Sequence, residues 1–349
     1  MKIIEVVAAS ERYDVLVGPL DEARERLAGD SILVSEPHVF ALHGDRVGAL
    51  LGAGPPILLP QGEAAKQWDV LHMLLAELAE RNASRSTRIV ALGGGSVGDV
   101  AGLAASLFKR GCPIAHVPTT LLAQADSAVG GKTAIDAFGE KNVIGSFHQP
   151  ALVIADPAFL VTLDERQLRS GYAEIVKYGL IDDPAFFDWC TANGAALIAG
   201  DAAARDHAIA TAITAKARMI AGDVEDRSGR RALLNLGHSF AHAIESAAGL
   251  GAVLHGEAVA IGLVLALSYS ATLGLCDASH ADRLAAHLGE VGLPNGLADV
   301  GIAGPALIDW MVRDKKNDGA TLTLILSRGI GRAFVARNVD RANLAAFLA

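Results

Sequence analysis

The stretch Ala91-Leu-Gly-Gly-Gly-Ser-Val-Gly-Asp-Val100 decides how the first half of the chain folds. It overlaps the apolar run Ile89–Leu92 and leads into a helical pattern. Glycines permit a tight turn and a close approach of the backbone, and free amides at a helix start favour a pyrophosphate. Gly93, Gly95 and Gly98 match the spacing of dinucleotide sites, but the acidic residue expected about 20 residues later is absent. The stretch therefore fits either a nucleotide site or a turn that only tightens a strand-to-helix junction.

Outward from this stretch, short β-branched runs alternate with helical segments, which predicts parallel strands joined by crossover helices. We predict strands at Ile3–Val7, Asp14–Val17, Ser31–Val34, Val39–Leu42, Ile57–Leu59, Thr87–Leu92, Ile114–Val117 and Leu152–Ala155. Helical spacing runs from Ala64 to Asn82. Its apolar stripe consists of Trp68, Leu71, Leu74, Leu75 and Leu78.

After about residue 158 the pattern changes to long Ala- and Leu-rich stretches. Helices are expected at Arg166–Leu180, Ala202–Ala221, Ala232–Ala248, Glu257–Leu273 and Ala281–Val291. A short strand, Thr321–Leu326, should precede a final helix, Arg341–Leu348. The fold class is thus an α/β domain over residues 1–158 followed by a mainly helical domain over residues 159–349.

Composition excludes several classes of protein. The chain has 349 residues, a net charge of −9 and 51% apolar residues. So much apolar surface excludes a largely disordered chain, and the acidic balance argues against nucleic acid or an anionic membrane as a partner. The 3 cysteines are too scattered for a disulfide scaffold, so we expect a cytoplasmic protein. The uncharged segment Ala258–Leu275 fits a helix buried on all sides better than a membrane span.

A cluster of anion-binding groups lies between the two halves. Arg110, Lys132, Lys141 and Asn142 each stand close to a glycine. Lys and Arg side chains beside such small residues can approach a phosphate or carboxylate closely. In an acidic chain this clustering is more informative than in a basic one. An ordinary solvated surface would show the same residues, so both interpretations stay open at this point.

Histidines in the second half suggest a metal site. His238 and His242 are four residues apart and share a face if the segment is helical, as metal-binding pairs do. Ser239 stands where a zinc protease has its general-base Glu, and a pair by itself is more often structural or exposed. His255 in a glycine-flanked turn and Glu174 in a predicted helix add further ligands, and three or four such ligands suit a catalytic divalent metal.

A series of motifs in a fixed order resembles a known family. The motifs are Gly94-Gly-Ser-Val-Gly-Asp99, Val117-Pro-Thr-Thr-Leu-Leu-Ala-Gln124, Ser127-Ala-Val-Gly-Gly-Lys-Thr133, Lys141-Asn142, Phe147-His-Gln-Pro150, Ala173-Glu-Ile-Val-Lys-Tyr-Gly179, Leu234-Asn-Leu-Gly-His238 and Leu254-His-Gly-Glu257. Together they resemble the 3-dehydroquinate synthases, within the sugar phosphate cyclases. The similarity covers nearly the whole chain.

This resemblance implies a nucleotide-binding α/β domain, an all-α metal-binding domain, and NAD and a divalent metal, zinc or cobalt, as cofactors. It also implies a homodimer. The implied reaction belongs to the shikimate pathway and converts 3-deoxy-D-arabino-heptulosonate 7-phosphate into 3-dehydroquinate and phosphate. Transient oxidation by NAD, phosphate elimination, re-reduction and an intramolecular aldol closure would follow one another. Several cations suit this substrate because it carries both a carboxylate and a phosphate.

Carried over residue by residue, the resemblance implies three metal ligands, Glu174, His238 and His255, and makes His242 a substrate-facing group. Implied nucleotide contacts are Glu63, Lys66, Gly95, Ser96, Val97, Gly98, Asp99, Thr119, Thr120, Lys132, Lys141, Phe159, Leu160, Val161 and Thr162. Implied catalytic and anion-binding residues are Arg110, Lys132, Lys141, Asn142, Lys177, Lys216, Arg231, Asn235, Lys315 and Lys316. The sequence does not decide between the last two.

Two features depart from the family pattern. Asp136 stands where the family usually has Asn, and the stretch from Lys216 to Arg231 is one residue longer than usual. Three other functions remain as alternatives. Another sugar phosphate cyclase would share the glycine turn and the metal set, a metal-dependent polyol dehydrogenase would release NADH, and a catalytically silent binding protein would have no physical reason to keep a complete site.

Overall fold

The structure is a computed structural model that describes residues 1–8, 11–221, 229–249, 251–313 and 321–349. Its strands are β1 Lys2–Ala8, β2 Glu11–Val17, β3 Ser31–Ser35, β4 Ile57–Leu58, β5 Arg88–Gly93, β6 Ile114–Pro118, β7 Lys132–Ala137, β8 Glu140–Phe147, β9 Leu152–Ala155, β10 Thr321–Ser327 and β11 Ala333–Asp340. Its helices are α1 Arg24–Leu27, α2 Pro37–Leu51, α3 Trp68–Glu80, α4 Gly95–Leu107, α5 Glu165–Asp182, α6 Pro184–Ala199, α7 Ala202–Ile220, α8 His238–Ala248, α9 His255–Thr272, α10 Ser279–Glu290, α11 Pro305–Arg313 and α12 Arg341–Leu348.

The chain divides into two compact units. The first comprises Met1–Asp164 and Arg205–Val224, and the second comprises Glu165–Ala204 and Glu225–Ala349. A division after residue 158 would leave residues 205–221 in the second part, whereas in the structure they belong to the first unit. The helix α7 therefore belongs to the first unit from Arg205 onward.

The first unit is built on a seven-stranded sheet with the order β1-β2-β9-β6-β5-β3-β4. Strands β1 and β2 pair antiparallel, and the other neighbours pair parallel. Parallel neighbours need long crossover connections, which helices such as α2, α3 and α4 provide. The carboxyl ends of β5, β6 and β9 consequently lie at one edge of the sheet, together with the glycine turn.

Strand β5 lies at the centre of the core of the first unit. Val90 and Leu92 pack in the layer that includes residues of α2, whereas Ile89 and Ala91 pack in the layer that includes residues of α3 and α4. All four are buried, as expected for a parallel strand covered by helices on both faces. The glycine turn therefore follows a rigid strand.

A two-stranded hairpin, β7–β8, was not predicted. It pairs Lys132 with Phe147, and its turn places Phe138 and Gly139 at φ of +55° and +78°. In β7 only Thr133 and Ile135 are buried, and β8 has no buried residue. The period-two pattern that reveals a strand is therefore weak here. The hairpin carries several of the predicted anion-binding groups on one small element.

Close backbone contacts join α5, α8 and α9 in the second unit. A Cβ at Gly262 would collide with the carbonyl oxygen of Gly237, and a Cβ at Gly256 would collide with that of Ser170. Because glycine alone lacks this atom, these positions let α9 lie directly against the start of α8 and against α5. The packing brings the first turns of α8 and α9 to the middle of α5.

The helix α9 confirms the expectation for the uncharged segment Ala258–Leu275. Most of its side chains are fully buried within the second unit, including those of Val259, Ile261 and Leu263. Among the described residues, we find no helix with the length and apolar character needed to cross a membrane.

Some expectations for single elements are wrong. Val39–Leu42 belongs to α2 and not to a strand, because Pro37 occupies the first turn, where it favours a helix start. Trp68 lies at the first position of α3 and is 57% exposed, so it is not part of the buried stripe. The helices α6 and α11 and the strand β11 were not predicted, whereas the predicted final helix matches α12.

Candidate metal centre and nucleotide cleft

One carboxylate and two imidazoles converge in the second unit. Glu174 Oε1 lies 3.3 Å from His238 Nε2 and 3.2 Å from His255 Nε2. One ligand atom from each residue lies within 4.8 Å of the others. Two ligands about 2 Å from a single ion are roughly 3.3 Å apart in a tetrahedral site. The spacing and the ligand types therefore suit one divalent ion. We call these residues the trio.

Hydrogen bonds on the far side of each imidazole orient the rings. His238 Nδ1 lies 3.1 Å from the Leu236 carbonyl oxygen, and His255 Nδ1 lies 3.4 Å from Glu245 Oε2. A ring that donates through Nδ1 directs its other nitrogen, Nε2, toward Glu174, as ligating histidines do. Burial lowers the pKa of His238. Burial has the same tendency at His255, but hydrogen bonds to Glu174 and Glu245 raise the pKa of that ring to about 10.

Glu174 stays ionised although it is buried. Burial alone would raise the pKa of its carboxyl group, but Lys177 and His238 hold that pKa well below its ordinary value. Lys177 Nζ lies 2.5 Å from Glu174 Oε2, and both side chains are buried. One carboxylate oxygen thus faces the two imidazoles while the other faces an ammonium group.

The trio lies on three helices, and hydrogen bonds fix the start of one of them, α9. His238 and His255 are the first residues of α8 and α9, and Glu174 lies in the middle of α5. Glu257 Oε2 accepts a hydrogen bond from the backbone at the start of α9 at 2.9 Å. Arg166 Nε donates to Glu257 Oε1 at 2.6 Å. The orientation of the first turn of α9, and with it His255, is therefore fixed from two sides.

In the first unit, a small cleft opens at the glycine turn. Gly94 caps α4, so the free amides of the first turn of the helix lie at the cleft. The polar side chains lining the cleft are Asp99, His116, Ser127 and Lys132. Helix-start amides together with an ammonium group favour an anion such as a pyrophosphate.

A buried lysine links three segments around this cleft. Lys66 is 4% exposed, and its Nζ donates to Asp99 Oδ2 at 2.6 Å and to Asn142 Oδ1. Burial would lower the pKa of Lys66, but Asp99 raises it above its ordinary value. Asp136 Oδ1 accepts from the Asn142 backbone N–H at 2.7 Å. An Asn side chain could accept the same bond, so the departure at Asp136 preserves this contact.

Other predicted nucleotide residues gather at the same turn. Ser96 Oγ donates to Glu63 Oε1 at 2.8 Å, and the Thr119 backbone N–H donates to the Gly93 carbonyl oxygen at 2.9 Å. The segment Phe159–Thr162 follows β9, whose sheet neighbour is β6. Its first two residues are buried, whereas Val161 and Thr162 are exposed.

Comparison with known proteins decides the family. Residues 56–170 match the model of the 3-dehydroquinate synthase N-terminal region, and residues 171–317 match that of the C-terminal region. The chain is 48% identical to the 3-dehydroquinate synthase of Caulobacter vibrioides, over 100% of this chain and 98% of that relative. This chain belongs to the 3-dehydroquinate synthase family.

Further relatives agree with this assignment. The 3-dehydroquinate synthase of Rhodospirillum rubrum is 47% identical over 99% of this chain and 94% of its own length. A solved structure, 2-epi-5-epi-valiolone synthase from Streptomyces hygroscopicus subsp. jinggangensis with NAD⁺ and Zn²⁺ bound, is 31% identical. It covers 96% of this chain and 95% of its own, with a TM-score of 0.86. The resemblance inferred from the motifs and the predicted fold class are both confirmed.

In this member of the 3-dehydroquinate synthase family, the predicted cations of the first unit differ in exposure. Lys132, Lys141 and Arg110 are exposed, and Arg110 has φ of +64° just beyond α4. Lys216 is 6% exposed, and its Nζ forms an ion pair with the Asp126 carboxylate and donates to the Asp126 carbonyl oxygen at 2.8 Å. The extra residue expected before Arg231 has no assigned place, because residues 222–228 lie outside the described ranges.

The predicted substrate groups of the second unit lie on several elements. Lys177 contacts the trio, and Arg231 is 3% exposed at the start of a short 3-10 segment that ends at Asn235. The ring centroid of His242 lies 5.7 Å from that of His238, beside the trio but outside it. Lys315 and Lys316 lie outside the described residues.

Two residues of this family member contact the predicted site but were not predicted. Glu245 lies seven residues after His238, two helical turns away and on the same face, so the helical period could have indicated it. Asp126 pairs with Lys216 across 90 residues of sequence. No local pattern signals a contact of that kind.

Proposed function

We propose that this chain converts 3-deoxy-D-arabino-heptulosonate 7-phosphate into 3-dehydroquinate and phosphate, as a 3-dehydroquinate synthase of the shikimate pathway. The observation that carries the proposal is the 48% identity to such an enzyme along the whole chain. The trio supports it, because one buried carboxylate and two partly buried imidazoles converge with the spacing of ligands to a divalent ion.

The trio of Glu174, His238 and His255 holds a divalent metal, zinc or cobalt. One anionic oxygen and two imidazole nitrogens are a donor set that both ions accept, and it leaves coordination positions open. The metal supplies Lewis acidity toward the hydroxyl oxygens of the substrate. The Leu236 carbonyl and Glu245 orient the two rings, so the donor atoms need little rearrangement.

The first unit binds NAD at the glycine turn. The free amide N–H groups of α4 donate hydrogen bonds to the pyrophosphate. Glu63 accepts hydrogen bonds from ribose hydroxyls in place of the one from Ser96. The ion pair between Lys66 and Asp99 stabilises the base of the nucleotide site. NAD supplies reversible hydride acceptance, so no net reduced cofactor is expected. The remaining contacts are Gly95, Val97, Gly98, Thr119, Thr120, Lys132, Lys141 and the segment Phe159–Thr162.

Cationic and amide side chains bind the two anionic groups of the substrate. Charge-assisted hydrogen bonds from Lys and Arg to phosphate and carboxylate are stronger than neutral ones. His242 faces the substrate beside the trio and holds or releases a proton there. The residues proposed for the anions are Arg110, Lys132, Lys141, Asn142, Lys177, Lys216, Arg231, Asn235 and one of Lys315 and Lys316.

The protein acts as a cytoplasmic homodimer. Cys112 and Cys190 are buried free thiols, which is consistent with a reducing compartment. The two functional regions, nucleotide binding over residues 1–158 and metal and substrate binding over residues 159–349, are part of the same proposal.

Phosphate release and NADH absorbance, measured together on the heptulosonate 7-phosphate with NAD and zinc, test the proposal. We expect one phosphate per substrate consumed, no accumulation of NADH, and loss of activity when either cofactor is withheld. NADH that rises in step with substrate loss would indicate a polyol dehydrogenase. Turnover of another sugar phosphate in place of this one would indicate a different cyclase.

A further inference from the structure

A hydrogen-bond arrangement beside β9 fixes what Thr162 can offer to a ligand. Thr162 Oγ1 lies 3.1 Å from the Phe159 carbonyl oxygen and 2.8 Å from His43 Nε2. The hydroxyl has one proton, and the carbonyl can only accept. Both contacts are satisfied when Thr162 donates to Phe159 and His43 Nε2–H donates to Thr162. The reverse arrangement would leave two acceptor oxygens 3.1 Å apart without a proton between them.

The helix α2 holds His43 in this position. The rings of His43 and Phe159 meet edge to face, with centroids 4.8 Å apart, and the Arg46 guanidinium lies 5.6 Å from the centre of the Phe159 ring. Arg46 also pairs with Asp156 at 3.1 Å. Burial and the nearby Arg46 lower the pKa of His43. The neutral ring donates through Nε2, and a protonated ring would donate through the same atom.

Thr162 consequently presents an acceptor and no donor toward solvent. Its proton is used by Phe159 and one lone pair by His43, so a single lone pair remains. Thr162 is exposed, and the neighbouring Val161 side chain is 78% exposed. The exposed Val161 side chain suits the face of an aromatic base, and the fixed Thr162 acceptor suits a donor on the edge of that base.

We propose that His43 is a specificity-determining positioning residue that fixes the Thr162 hydroxyl as an acceptor, so that this segment selects a nucleotide edge carrying an amino N–H. The inference rests on the proposed function, in which Phe159–Thr162 contacts NAD. Strand β9, which precedes this segment, is two strands from β5 in the sheet, so the two strands are about 10 Å apart. A base attached to a pyrophosphate at the glycine turn can reach across this distance.

Both ends of NAD carry an amino group of this kind, the 6-amino group of adenine and the carboxamide of nicotinamide. Two analogues separate them. Nicotinamide hypoxanthine dinucleotide has an oxygen in place of the adenine amino group, and 3-acetylpyridine adenine dinucleotide has a methyl ketone in place of the carboxamide. If the replaced group lies opposite Thr162, either replacement removes the hydrogen-bond donor. The hypoxanthine oxygen also places an acceptor against the Thr162 oxygen, which is an acceptor itself.

The experiment measures dissociation constants of NAD and both analogues for the full chain by titration calorimetry, without turnover. We expect one analogue to bind about tenfold or more weakly than NAD, and its identity shows which end meets Thr162. Thr162→Val should abolish the difference and Thr162→Ser should keep it. His43→Ala frees a lone pair and lets the hydroxyl turn, so the ratio should fall to about threefold or less.

His38→Ala is the matched control, because His38 is exposed on the same helix and the Thr162 hydroxyl forms its hydrogen bonds with His43 and Phe159. It should keep the full ratio. Equal binding of all three dinucleotides by the unmodified protein would overturn the inference while leaving NAD binding intact. An undiminished ratio in a folded His43→Ala variant would overturn it as well. Failure of the unmodified protein to bind NAD at all would instead overturn the proposed function, and this inference with it.

Discussion

Replacing Lys66 with Met tests whether the polar cluster at the glycine turn stabilises the first unit. Lys66 Nζ lies 2.6 Å from Asp99 Oδ2, and the two side chains are 5% and 23% exposed. Met preserves the apolar length of the side chain but removes its charge. Asp99 then loses its ion-pair partner, and Asn142 Oδ1 loses a donor. We expect the first unit to unfold more readily.

The size of the effect follows from the burial of the pair. At 2.6 Å the Coulomb attraction is about 6 kcal/mol for an effective dielectric constant of about 20, and desolvation of both charges offsets most of it. Breaking a fully buried pair from one side costs about 3–5 kcal/mol. Because Asp99 keeps part of its hydration, we expect a loss of about 2–3 kcal/mol for Lys66→Met.

A double-mutant cycle separates this interaction from lost packing. Lys66→Met with Asp99→Asn removes both charges, and the two changes together should cost about 1–2 kcal/mol less than the sum of the single changes. Hydrogen exchange of the α4 amides reports on the first unit directly, and thermal unfolding follows the whole chain. Lys2→Met, which removes an exposed charge in β1, is the control. If Lys66→Met were as stable as this control, or the two changes strictly additive, the reasoning would be refuted.

Four further changes test other parts of the structure. Glu245→Ala removes the group 3.4 Å from His255 Nδ1, so zinc affinity in a chelator competition should fall about 10- to 100-fold; an unchanged affinity would contradict the role of Glu245. Burial lowers the pKa of His116 from 6.5 to about 4, so the folded state binds fewer protons than the unfolded chain between these values. Urea unfolding should show roughly 3 kcal/mol of stability lost as the pH falls through this window, and His116→Gln should remove that loss. Gly262→Ala places a methyl group against a backbone carbonyl and should lower the thermal unfolding midpoint, at a cost of about 1–3 kcal/mol. Gly48→Ala fills open space within α2 and should raise the midpoint by an amount equivalent to about 0.4–1 kcal/mol.

The sequence predicts the central sheet well because burial on both faces leaves a continuous apolar run, as in β5. It fails where the same local signal has another cause. Val39–Leu42 lies in α2, where Val39 is buried and Ala41 and Leu42 are exposed, and the run is too short to show the helical period. It also fails where one face of a strand is solvated without regular alternation, as in β8.

For the metal site, local spacing finds His238 and His242 as a helical pair, but the structure brings together a different set. Glu174 and His255 are 81 residues apart in sequence. Their contact depends on α9 lying directly against α5 and α8, at glycines where a larger residue would collide. The helical period does not reveal a contact of this kind, and the prediction of Glu174, His238 and His255 as one set came from the resemblance to the family.

The Phe159–Thr162 segment shows a further limit of reasoning from motifs. The resemblance to the family implies that Thr162 contacts the nucleotide, yet a threonine hydroxyl can act as donor, acceptor or both. Which of these it offers is set here by His43, 119 residues away and in no motif. Two relatives with the same segment and different residues at this position of α2 would therefore differ in whether the threonine hydroxyl is held as an acceptor toward the base. Cofactor selectivity in the family should accordingly vary with contacts behind the site even where every residue facing the cofactor is identical.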